Sequence, residues 1–182
     1  MAEALLITNE DIAQFTALNG NVDKDKVIQF CKIAQDIHIQ TLLGTDLLEK
    51  LQLEITNATL AGDYLNLNTK YVKPVLIHYS LMEALPFLSY TIANKGVYKH
   101  NSENSANVEK NEVDFLIEKE RDIAEHYANR LVDYLCNNTT LFPEYSTGTG
   151  ADMKADKNTV FSGWMLDNNA QRDRLDYNNL EL

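Results

Sequence analysis

The stretch from Asp23 to Leu60 constrains the fold more than any other part of the chain. Val27, Phe30, Cys31, Ala34, Ile37, His38, Thr41 and Leu42 recur at helical spacing and define one face of an amphipathic helix. Asp23 and Asp25 stand where the positive end of a helix favours negative charge, and Gly44 stands where the chain must take a positive φ to stop. A second helix follows at once, with Thr45 or Asp46 as its cap and Leu47, Leu48, Leu51 and Ile55 as its apolar side. The pattern predicts an αα-hairpin closed by one glycine. Ile28, Ile39 and Leu43 fall off the main stripe, on the side expected to face water. Either another helix of the same chain covers them or a neighbouring subunit packs there.

Only three prolines and seven glycines in 182 residues favour helices over a many-turned β fold. A chain of this length is expected to form one domain and to bury roughly 70% of its unfolded surface. Cys31 and Cys136 lie on apolar faces of separate elements and read as reduced core residues. A net charge of −11 opposes gripping nucleic acid, because neutralising phosphates requires a Lys/Arg surface. An acidic wall can still surround a duplex and let it slide. No signal peptide is expected, since the N-terminus lacks a basic region and a long apolar run. Pro74–Ala93 is long enough to span a bilayer, but Glu83 near its middle would cost ~2.5–3.5 kcal/mol there. It reads as the buried central helix, and no membrane association is expected.

Elsewhere, Thr8 and Asp11 form a capping box ahead of Ile12, Phe15 and Leu18. Asn57–Asn68 is a polar connection with a turn at Ala61-Gly62-Asp63. A long helix is expected from Thr69 to Ala93, with Pro74 in its first turn or at an interior kink, and Pro86 bending it further on. Residues 94–111 are expected to form a projecting loop or small hairpin. From Glu112 to Cys136, Val113, Leu116, Ile117, Ile123, Ala124, Tyr127, Leu131, Tyr134 and Leu135 line one helical face. The expected fold is all-α: a helical bundle of three long and one or two short helices over residues 1–145. Residues 146–182 read as a linker and extended C-terminal arm, carrying the apolar group Phe161, Trp164, Met165 and Leu166. That group either folds back on its own bundle or docks on another subunit.

Chemistry is sparse. His38, His78, His100 and His126 are scattered, and none belongs to an H-x-x-x-H pattern. Asp122 and His126 are helix-face neighbours, and no C-x-x-C nucleates a zinc site. Gly148-Thr149-Gly150 lacks the context of a phosphate loop. All-α nucleotide pyrophosphohydrolases need carboxylate pairs converging from two helices. Here only Asp122-x-x-Glu125 and the lone Glu83 are available. No enzymatic activity, catalytic residue, cofactor or metal is expected.

The segments L-L-I-T-N-E-D-I (5–12), N-G-N-V-D-K-D-K-V (19–27) and A-Q-D-I-H-I-Q-T-L-L-G-T-D-L-L (34–48) resemble head–tail connector proteins of tailed bacteriophages. The likeness is to those of Bacteroidetes phages and to the ring proteins of crAss-like phages. It covers residues 5–60 best, extends loosely to Cys136 and the following L-F-P-E-Y, and fades after that. Its motifs are structural, so no catalytic residue is implied. The resemblance implies a virion protein of the head–tail junction, assembled in the host cytoplasm as a ring of commonly twelve copies. Its implied partners are the portal protein and further tail or ring proteins, with DNA passing through unread. On that reading Ile28, Ile39 and Leu43 make lateral contacts, and the group around Trp164 reaches the portal or the next ring. The alternative is a small acidic helical module that binds or regulates another protein and has no virion role.

Overall fold

A computed structural model describes residues 4–18, 24–88, 90–93, 96–99, 110–147 and 152–157. The fold is all-α. Helix α1 is Asn9–Phe15, and α2 spans 24–43 as Lys24–Ala34, a π turn at Gln35–Ile39, and Gln40–Leu43. Helix α3 is Thr45–Thr56. Helix α4 spans 62–88 as Gly62–Leu67, a second π turn at Asn68–Val72, and Lys73–Leu88. A two-stranded antiparallel hairpin follows, β1 Tyr90–Ala93 with β2 Gly96–Lys99, in which Tyr90 pairs with Lys99 and Ala93 with Gly96. Helix α5 is Lys110–Asn137 and α6 is Glu144–Thr147.

Helix α4 is the centre. Val75, Leu76, Ile77, Tyr79, Ser80, Leu81, Met82 and Ala84 are all buried, and the helix packs against both α2 and α5. Its all-round apolar character is what a helix covered on several sides requires. Among the described residues, no helix is long and apolar enough to cross a membrane. The helix differs from expectation at both ends. It starts at Gly62, so the polar connection is shorter than expected. It stops at Leu88, two residues after Pro86, and the β-favouring Tyr90-Thr91-Ile92 run enters the hairpin instead. Pro74 is interior, immediately after a π turn whose Lys73 N–H reaches back five residues to the Asn68 carbonyl. The wider turn relieves the ladder just where proline can neither donate nor fit tightly.

The π turn in α2 changes which residues face inward. Gln40 N–H donates to the Gln35 carbonyl, five residues back, so the turn acts as a one-residue insertion. Beyond it every side chain is rotated by about 100° from the position a regular α-helix assigns. Ile39 and Leu43 therefore swing into the core, both fully buried, while Ile37 swings out and is 55% exposed. Gln35 is buried with them, and both ends of its amide are hydrogen-bonded. Its Oε1 accepts the Leu6 N–H at 3.0 Å and its Nε2 donates to the Ala4 carbonyl at 3.2 Å, pinning the N-terminal segment across α2.

Helix α1 has the expected capping box: Asp11 N–H donates to Thr8 Oγ1 and Thr8 N–H to Asp11 Oδ2. Lys73 Nζ, 2.9 Å from the same Oδ2, ties α1 to α4. Burial pushes the Asp11 carboxyl up, but the Thr8 N–H and the Lys73 ammonium outweigh it and hold it below the usual value. Cys136 is exposed rather than in the core, one position past the buried Leu135; Cys31 is buried, and both are free thiols. Burial pushes the Cys31 thiol up, so it stays protonated.

Candidate functional site

Helices α2 and α3 meet at Gly44, whose φ of +76° is accessible to glycine at little cost. Gly44 ends one helix and caps the next, so neither Thr45 nor Asp46 is the cap the sequence suggested. A helix start without a capping side chain leaves amide donors to be satisfied. Residues 152–157 do this by lying across the turn as an extended strap. The Met153 carbonyl accepts the Thr45 N–H at 2.9 Å, and the Asp156 N–H donates to the Thr41 carbonyl at 2.8 Å. Met153 N–H donates to Thr45 Oγ1, and Gln40 Nε2 bridges Thr45 Oγ1 and Asp152 Oδ2. A Cβ on Gly44 would lie 2.8 Å from Ala155 N, so the strap needs a glycine here independently of φ.

Beneath the strap is a pocket of about 140 Å³, lined among others by Leu43, Asp46, Tyr145, Met153, Lys154 and Lys157. Lys157 sits over the Tyr145 ring, and Cys136 Sγ is 4.0 Å from the Tyr145 hydroxyl. Burial and the neighbouring Cys136 push the Tyr145 hydroxyl up. Phe142, fully buried, and Tyr64, whose hydroxyl donates to Glu144 at 2.7 Å, seal α6 onto the same end. The geometry holds a peptide segment through its backbone.

Two histidines tie the long helices. His38 stacks on Tyr79 at 3.8 Å, and its Nε2 lies 3.1 Å from Glu83 Oε1, joining α2 to α4. His78 Nδ1 lies 2.7 Å from Glu120 Oε2, joining α4 to α5. With carboxylate acceptors, these ring nitrogens are the donors. Tyr79, between the two pairs, is pushed up to about 12 by burial and by Glu125, with Arg121 opposing. Sequence spacing carries no signal for these pairs, because the partners are 45 and 42 residues apart. Among the described residues, no three His, Cys, Asp or Glu side chains are grouped to hold a metal.

Among the described residues, the candidate contacts Ile28, Ile39 and Leu43 do not form one exposed patch. Ile39 and Leu43 are core residues of their own chain, because of the π turn, and are unavailable to a neighbour. Ile28 is 45% exposed. Phe161, Trp164, Met165 and Leu166 lie outside the described residues. Sequence spacing places Leu116 and Ile123 of α5 on the inward face, yet both are exposed, at 47% and 39%, as is the adjacent Phe115 at 57%.

Residues 39–154 match the model of a family described as a family of unknown function (DUF6712). No curated protein and no solved structure matches the chain.

Proposed function

We propose that this chain, which belongs to the DUF6712 family of unknown function, is a structural protein of a phage virion: a head–tail connector subunit that forms a ring below the portal, extends the DNA channel and joins capsid to tail. The resemblance of residues 5–60 to phage connectors supplies the kind of assembly. The observation that supports assembly itself is helix α5. Its second half is core, whereas Phe115, Leu116 and Ile123 in its first half present large apolar side chains to solvent. The adjoining Phe115 and Leu116, beside each other on one helix, suit a surface that a partner covers. Ile28, on the outer side of α2, is a further candidate for lateral contact. The charge of −11 suits a channel wall that repels phosphate and does not retain it.

The direct test mixes the purified protein with the portal protein of the same phage and examines the product by mass photometry and negative-stain electron microscopy. Rings of this chain stacked on the portal are expected, with Phe115→Ser/Leu116→Ser reducing their yield at least tenfold. A chain that stays monomeric at every concentration and never joins the portal would overturn the reading.

A further inference from the structure

The strap follows α2 in a definite direction. Met153 is hydrogen-bonded at Thr45 and Asp156 at Thr41, so the strap travels back along α2 toward its N-terminus. One turn further on is Ile37, whose carbonyl accepts Thr41 Oγ1 at 2.7 Å, and one turn beyond it is Ile33. Both present apolar side chains to solvent, at 55% and 38% exposure. About one turn back from Ile33, the buried Phe30 packs against the ring of Phe87 with centroids 5.1 Å apart, and Phe87 itself is 53% exposed. An uncovered apolar track therefore begins where the described strap ends, at Lys157.

The chain beyond Lys157 has matching chemistry. Its first apolar residues are Val160 and Phe161, then Trp164, Met165 and Leu166. An extended chain from Asp156 reaches about 17 Å by Phe161 and about 27 Å by Trp164. Ile37 and Ile33 lie only about 6 and 12 Å along the helix axis from Thr41. We propose that residues 160–166 continue the strap along α2 of the same chain, with Phe161 and Trp164 covering Ile37, Ile33 and Phe87. The occupant is the chain's own tail because the strap is already held in place at its start. Tethering a few residues away keeps the tail at an effective concentration on the order of millimolar beside the track. The proposal does not depend on the connector reading.

Trp164 is the only tryptophan, so its fluorescence reports the site directly. In the full-length protein its emission is expected well to the blue of free tryptophan, with acrylamide quenching reduced several-fold, and both unchanged on tenfold dilution. Ile33→Asp/Ile37→Asp should return emission and quenching to free-tryptophan values, with a far-UV melt run alongside to follow the bundle. Phe161→Ala alters only the tail and should raise quenching about twofold. Phe15→Asp, at an equally exposed apolar position on α1, should change neither signal. Solvent-exposed emission in the unmodified protein overturns the proposal. So does a buried tryptophan indifferent to both track and tail variants, or burial that disappears on dilution, which would make a second copy the occupant.

Discussion

Helix α5 contains two halves with the same apolar periodicity and opposite fates. In 124–137, Ala124, Ala128, Leu131, Val132 and Leu135 are buried against the rest of the bundle. In 110–123, Phe115 and Leu116 stand in solvent, while Ile117 still packs against the core. The reason lies in the partner helix. Tyr71 stacks on Tyr134 and His78 on Tyr127, so α4 and α5 run antiparallel, residue for residue. Continuing that pairing puts the end of α4, at Leu88, level with residue 117, and the first turns of α5 run past it. An apolar stripe states that something must cover it; it does not state what.

The contrast is tested most strongly by truncating one leucine in each half. Leu131→Ala, at a fully buried site, should lower unfolding free energy by about 2–5 kcal/mol in denaturant titration. Leu116→Ala should change it by no more than about 0.5 kcal/mol. Similar losses at both positions would mean that the first half is also covered within the monomer.

Near the boundary between the halves is the His78–Glu120 pair, both side chains largely buried. Glu120→Ala leaves the imidazole donor without its acceptor and should cost about 1–3 kcal/mol. Hydrogen exchange should then quicken in residues 110–123 before it does in 124–137. Uniform quickening along α5 would show that the helix opens as one unit.

A third test uses alkali. Tyr79 packs between α2 and α5, and its hydroxyl is raised from an ordinary 10.0 to about 12. The folded state therefore holds this proton where the unfolded chain has released it. The stability it contributes is complete below pH 10.0 and is lost as pH rises toward 12. Tyr79→Phe should shallow the fall in melting temperature across that window; Tyr64 and Tyr145, also raised, keep the remainder. An unchanged slope would remove Tyr79 from the account. The smallest expected effect on the monomer is that of Phe115→Ser/Leu116→Ser. Its melt should move by about a degree or less, while sedimentation shows weaker self-association. A large drop in melting temperature would return these residues to the core.

Much of the architecture was legible because it rests on local physics. The capping box at Thr8, the apolar side of Leu47, Leu48 and Leu51, and the burial of Val75 to Ala84 follow from spacing and capping chemistry alone. For Ile39 and Leu43 the spacing left two readings open, cover by their own chain or by a neighbour, and the structure buries both within the chain, because one π hydrogen bond shifts their phase and no residue type announces it. The hairpin at Tyr90–Lys99 was only half legible, its first strand reading as the end of a helix until Pro86 and the β-favouring residues after it prevailed.

Gly44 divides the two kinds of information. That a glycine with positive φ separates two helices is a property of the sequence, since only the missing Cβ makes that conformation inexpensive. That the same missing Cβ makes room for Ala155, more than a hundred residues later, is a property of the tertiary structure. The backbone donors and acceptors that bind the strap exist at every residue and carry no local signature. Only the fold decides which of them are left over at a helix start and which segment lies close enough to take them.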